Sequence, residues 1–416
     1  MPSLRDWADG LWTGAARTDH TSIVGSILGA GVALDEVAAG VAFLPNLGNV
    51  IAVDGGDGLC LVDTGSFLSA PMVHRQVRAW RDKPLLAAIY THGHVDHAMG
   101  MGPFDEEARR GGQPRPRVYA HEALTARFDR YQLTAGWNQA INARQFRIPG
   151  LRWPTEYRYP DVTYRDRWQL EVGGARLDLR HALGETDDHT WVWLPAHKVL
   201  CTGDLFIWAA PNCGNPQKVQ RYVREWADAL DVMATLGAEV LLPGHGPPIF
   251  GADRVAQALD ETARLLRVIH DQTVAAMNQG LSLDEVVAAI AIPAELLARP
   301  YLRPVYDDPA FIIRNVWRRY GGWWDGNPAH LLPPRERALA TEIANLAGGG
   351  AALAARAEAV ADHDLALACQ LAEWAWAAAP GDAEVRRVRS ALYRRRAEGE
   401  TSLMARSIFT AAAEER

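Results

Sequence analysis

Thr91-His92-Gly93-His94-Val95-Asp96-His97 sets four metal-ligating side chains within six residues, directly after the apolar run Leu85-Leu86-Ala87-Ala88-Ile89-Tyr90. A strand running into a tight turn points side chains i and i+2 to one side, so His92 and His94 converge on one cation. Asp96 and His97 begin the next turn and face a second. Imidazole and carboxylate together suit zinc, whereas calcium and magnesium favour all-oxygen shells. Scattered surface histidines do not cluster at this spacing. The chain must therefore fold so that strand ends meet around a metal.

The wider composition limits what surrounds that centre. A chain of 416 residues exceeds one ordinary core and suits two domains. With 48% hydrophobic and 22% charged residues it reads as a globular protein. The net charge of −7 and the single dense basic run, Arg394-Arg395-Arg396, argue against a nucleic-acid partner. No apolar run approaches the ~20 residues of a membrane helix, and Met1 to Trp7 lacks the basic and apolar regions of a secretory signal. Cys60, Cys201, Cys213 and Cys369 form no C-x-x-C pair; they read as buried free thiols of a reducing, cytoplasmic compartment. Neither a G-x-S-x-G elbow nor a P-loop is present.

From about residue 40 to 250, short apolar strands alternate with turns and helical stretches. Asn49 to Val53 and Leu59 to Val62 flank Asp54-Gly55-Gly56-Asp57-Gly58, a hairpin signal. Leu177 to Leu179, Thr190 to Leu194 and Val199 to Cys201 continue the strands, and a helical, aromatic insertion lies between Glu122 and Trp153. After Gly251 the pattern becomes alanine-rich with apolar residues near every 3.6 positions: Val255, Leu259, Leu266, Ile269. Ser282-Leu283-Asp284-Glu285 is a capping box. Two domains are expected, 1–251 and 252–416.

The 91–97 motif resembles the His-x-His-x-Asp-His signature of the metallo-β-lactamase superfamily. That resemblance implies an α/β fold, an αββα sandwich, and further ligands at the ends of later strands. Asp63, after the strand Leu61-Val62, is then expected to orient the ligand turn without binding metal. Glu185, in His181-Ala182-Leu183-Gly184-Glu185, stands where most of the superfamily carries histidine; glutamate there is similar to the alkylsulfatase-like branch. His181 and His189 are its rivals. Asp204, ending Val199-Leu200-Cys201-Thr202-Gly203, resembles the bridging carboxylate, a position that is glutamate in alkylsulfatases. His245, in Pro243-Gly244-His245-Gly246, is the last ligand. His92, His94 and Glu185 would hold one Zn2+ and Asp96, His97 and His245 a second, with Asp204 between them and Asp96 and Asp204 as the catalytic carboxylates. His20, His74, His121, His197, His270, His330 and His363 have no ligand context.

A second resemblance lies in Arg318-Arg319-Tyr320-Gly321-Gly322-Trp323-Trp324-Asp325-Gly326-Asn327-Pro328, which is similar to the all-α dimerisation domain of alkylsulfatases. It implies a homodimer built through the residues beyond 252. Together the resemblances imply a hydrolase cleaving an anionic ester with an apolar tail, alkyl sulfates foremost. Asn212 matches a sulfate-contacting asparagine of that family. The arginine expected a few residues later is replaced by Gln217 and Lys218, so Lys218 is the expected source of positive charge. Thioester, lactone or other ester hydrolysis and phosphodiester cleavage are the alternatives.

Overall fold

The computed structural model describes residues 3–19, 33–148 and 150–415; Met1, Pro2 and His20 lie outside them. The first sheet comprises β1 (Asp35–Ala38), β2 (Val41–Leu44), β3 (Val50–Asp54), β4 (Leu59–Val62), β5 (Leu85–Ile89), β6 (Arg117–His121) and β7 (Val162–Tyr164). The strands lie side by side in chain order, an antiparallel meander to β4 and parallel pairs thereafter. The second comprises β8 (Arg167–Val172), β9 (Ala175–His181), β10 (Thr190–Leu194), β11 (Val199–Ile207), β12 (Val240–His245) and β13 (Ile249–Phe250). All its pairs are antiparallel except β11 with β12.

Strand periodicity explains the layering. In β2, Val41 and Phe43 point into the core between the sheets, where they join Ile51, Val62, Leu179, Val192 and Leu242. Ala42 and Leu44 point the other way, toward a core closed by Val73, Phe104 and Phe128 from outer helices. A strand covered on both faces needs apolar residues throughout, which is why β2, β4 and Trp191 to Leu194 of β10 read as continuous runs. The outer face of the second sheet is closed by the helices Val223–Ala234 and Ala252–Asn278, whose Trp226, Leu230, Leu259 and Leu266 pack with Trp191, Leu205 and Leu241. The result is the expected αββα sandwich followed by helices. The helix Ala252–Asn278 and Ile312, Ile313 and Val316 share this core, so the apolar packing runs on past residue 251.

Beyond residue 335 the helices Glu336–Leu346, Gly350–Val360, Leu365–Ala378, Ala383–Gly399 and Leu403–Glu414 build a separate core around Leu353, Ala357, Cys369, Val385 and Leu392. The capping box read at Ser282 is formed: its hydroxyl accepts from Glu285 N and the Glu285 carboxylate accepts from Ser282 N. All four cysteines are buried and free. No helix among the described residues is long and apolar enough to cross a membrane.

Asn49 ties the two sheets together beside the ligand strand ends. It is fully buried, and its amide donates to Pro243 O and Gly246 O, both at 2.9 Å, on either side of His245. Asn49→Ala strands both carbonyls without a donor; it is expected to lower unfolding free energy by roughly 2–4 kcal/mol in a denaturant titration.

Candidate metal centre

The strand ends bring the seven candidate ligands into two groups. His92, His94, Glu185 and Asp204 form one, and Asp96, His97 and His245 the other; within each group one potential ligand atom per residue lies within 4.8 Å of every other. Asp204 lies between them, with carboxylate oxygens 3.6 Å from His92 Nε2, 3.3 Å from His97 Nε2 and 3.3 Å from His245 Nε2. Asp96 approaches His97 and His245 at 3.7 and 3.6 Å, and His94 lies 3.8 Å from Glu185. Gly244 permits this approach, since a β-carbon there would overlap Asp204 Oδ1.

The electrostatics of this cluster favour a cation. Burial disfavours ionisation of Asp204, but the imidazoles of His245, His97 and His92 overcome it and hold the carboxyl well below its usual range. Burial likewise opposes charge on His97, yet Asp204, Asp63 and Asp96 raise its proton affinity well above normal. Glu185 is pushed up to about 8, first by burial and then, against the opposing pull of Arg221, by the nearby Asp204 carboxylate. Carboxylates crowded in a low-dielectric space call for positive charge among them. His92 and His94 are held well below the usual imidazole range, first by burial, which leaves them neutral and able to ligate. Asp204 Oδ1, buried, accepts no hydrogen bond from protein. The chemistry of these donors fits metal cations.

A surrounding layer sets the ligands in place. Asp63 adopts a left-handed backbone, φ 58°, at the end of β4, which aims its carboxylate at Thr91 N (2.7 Å), Thr91 Oγ1 (2.8 Å) and His97 Nδ1 (2.7 Å). The bond to Asp63 fixes the proton on His97 Nδ1 and turns Nε2 toward the centre. Gly93, between two ligand histidines, donates to Asp188 Oδ2 at 2.8 Å. Arg127, buried in the helix Ala123–Leu133, donates to Asp188 Oδ1 at 2.7 Å and pairs with Asp187. His189 stacks on His92 with ring centroids 4.6 Å apart. His181 turns away to Asp187 O (2.9 Å) and stacks on His121. Neither rival histidine belongs to a ligand group.

A cavity of about 260 Å³ opens onto His94, Asp96, Glu185, Asp204 and His245 and is walled by apolar groups such as Leu47, Phe67, Phe146, Trp153 and Ile207. Asn212, Lys218 and Arg221 also line it. Asn212 donates to Glu185 Oε1 at 2.6 Å. Lys218 donates to Asn142 Oδ1 at 2.9 Å beside the Trp153 ring. Arg221, nine residues after Asn212 and not singled out in the sequence, donates to Asn212 O and, at 2.6 Å, to Glu185 Oε1. Gln217 points away, to Arg144.

Asp63→Asn keeps the left-handed backbone, which asparagine tolerates, but removes the charge that orients His97. Metal affinity is expected to fall about 10–100-fold in a competition titration against a chelator.

Two sequence families match the chain. The family described as the metallo-beta-lactamase superfamily matches residues 44–245, and that described as alkyl sulfatase dimerisation matches 282–416. A linear primary-alkylsulfatase from Pseudomonas sp. is 29% identical over 369 residues, covering 82% of this chain and 69% of the relative. An (R)-specific secondary-alkylsulfatase from Pseudomonas sp. is 27% identical, covering 81% and 55%. The solved structure of a stereoselective inverting sec-alkylsulfatase from Pseudomonas sp. superposes with a TM-score of 0.83 at 24% identity, covering 98% of this chain and 70% of that one. The chain thus spans little more than half to about two thirds of the lengths of these proteins. The strand ends with their candidate ligands lie in the region that matches the metallo-beta-lactamase superfamily, and the helical bundle in the region that matches alkyl sulfatase dimerisation.

Proposed function

We propose that the chain is a dinuclear zinc hydrolase that cleaves anionic esters with apolar tails, alkyl sulfates foremost. The observation that carries this reading is the cavity: apolar walls lead to the ligand cluster, and Lys218, Arg221 and Asn212 supply polar contacts along the way. His92, His94 and Glu185 would hold one cation, Asp96, His97 and His245 the other, with Asp204 shared. Zinc held there lowers the pKa of a bound water from 15.7 toward about 7 and stabilises negative charge on the substrate.

The remaining roles fall to side chains. Asp96 and Asp204 face the cavity, and we assign them the catalytic part: both fix the cations, and Asp96 takes up the proton released as water attacks. Asn212 and Lys218 hold the ester anion. Arg221 Nε is buried without a hydrogen-bond partner, a further donor for that anion. The insertion, through Phe146 and Trp153, holds the hydrocarbon and excludes water.

We also propose the division into 1–251 and 252–416, a cytoplasmic location consistent with four free cysteines, and a homodimer. Trp323, Leu332 and Leu346, 68%, 91% and 83% exposed, offer apolar surface for a second copy. Light scattering at micromolar concentration is expected to give twice the chain mass; a monomer would remove the dimer.

The substrate reading is tested by a panel of esters. Each methylene buried contributes up to about 0.8 kcal/mol, so kcat/KM for alkyl sulfates should rise from short to medium chains and then level off. Phosphate monoesters, carrying about −1.5 to −2 at pH 7, should be poorer. Faster turnover of neutral thioesters or lactones than of every alkyl sulfate would leave only the metal-dependent hydrolase.

Lys218 adds a pH signature. Burial, reinforced by Arg221, lowers its pKa to about 7, so the free enzyme loses this charge as pH rises through that value. KM for alkyl sulfates is expected to climb above pH 7. Lys218→Ala should raise KM at pH 6 by roughly tenfold, about the worth of one charged hydrogen bond, and flatten the profile.

A further inference from the structure

The loop carrying Asn212, Lys218 and Arg221 is held chiefly by the helical region. Ala210 N donates to Arg303 O at 2.9 Å. Gly214 N donates to Asp307 Oδ2 at 2.5 Å, and Gly214 lies so close to the backbone of Phe311 and Ile312 that a β-carbon would overlap them. At the other end, Asn315 of the helix Pro309–Gly321 grips Arg221 twice. Its Oδ1 accepts from Arg221 N at 3.3 Å and its Nδ2 donates to Arg221 O at 3.0 Å.

A side-chain amide bonded to both the N–H and the carbonyl of one residue fixes the direction of that residue's Cα–Cβ bond. At Arg221 that direction decides whether the guanidinium reaches Glu185 and the cavity or swings toward solvent. A long side chain with several rotatable bonds keeps its rotamer freedom unless its root is fixed. Asp307, fully buried, anchors the Asn212 end of the loop in the same manner through Gly214.

We propose that Asn315 is a positioning residue for Arg221, and that the helical region thereby completes the anion-holding side of the site within a single chain. This rests on the anionic-ester reading above. Asn315 belongs neither to the ligand groups nor to the cavity lining, and the lining residue it holds is Arg221, so its effect passes through Arg221.

The test uses the zinc-loaded chain of 416 residues and the variants Asn315→Ala and Asn315→Leu. Octane-1-sulfonate, which cannot be hydrolysed, is titrated by calorimetry; octyl sulfate and a neutral octyl thioester are followed by steady-state kinetics; metal content is measured in parallel. Both variants are expected to bind the sulfonate about tenfold more weakly, roughly the worth of one lost charged contact. KM for octyl sulfate should rise in step while kcat changes little, metal content stays at the wild-type value, and the thioester is affected less. Sulfonate affinity within twofold of wild type would overturn the proposal. So would an equal loss on sulfate and thioester, which marks general structural damage. A wild-type protein that neither binds the sulfonate nor cleaves octyl sulfate would overturn the anionic-ester reading itself, a result visible before any variant is made.

Discussion

Buried negative charge is what the rest of this molecule is arranged around. Asp63, Glu185 and Asp204 are almost wholly removed from solvent, and Asp96 is only partly exposed at their edge. Such a cluster is costly unless cations meet it. The neighbouring imidazoles only partly neutralise it: His92 and His94 stay neutral, whereas His97 and His245 are driven toward the charged form, against burial, by the carboxylates beside them. A bound metal cation would resolve the conflict, and the surrounding contacts fix the candidate ligands.

Those contacts explain why the sandwich is built as it is. β4, β5, β11 and β12 end on the same side of the molecule, so Asp63, the 91–97 turn, Asp204 and His245 meet there. Asn49 crosses from one sheet to the other to hold the backbone around His245. Arg127, Asp187 and Asp188 secure the turn that carries His92 and His94. The helical region contributes too, through Asp307 and Asn315 on the loop between β11 and the helix Val223–Ala234. Sandwich and helical region therefore meet at the loop that carries Asn212 and Arg221.

Much of this was legible in the sequence, for identifiable reasons. Candidate ligands follow apolar runs, so the 91–97 turn, Asp204 and His245 stand out in the sequence, and the fold brings them together with Glu185. Apolar periodicity separated strands from helices. What stayed hidden depends on contacts between distant segments. Arg221 comes nine residues after Asn212, and only the fold sets it beside Glu185; its place just before the helix Val223–Ala234 is the one signal the sequence offers. Arg127 and Asn315 sit in helices without any motif, and only the folded chain brings them to the ligand turn and to Arg221. Asp187 and Asp188, two and three residues after Glu185, are the supports that sequence proximity could have suggested.

The central claim is that these residues hold two catalytic cations. Elemental analysis by inductively coupled plasma mass spectrometry on the zinc-supplemented chain, paired with octyl sulfate hydrolysis before and after exhaustive chelation, addresses it directly. The account predicts about two zinc per chain, with hydrolysis lost on chelation and recovered on adding zinc back. Metal-free protein after supplementation, or hydrolysis unchanged by chelation, would contradict it.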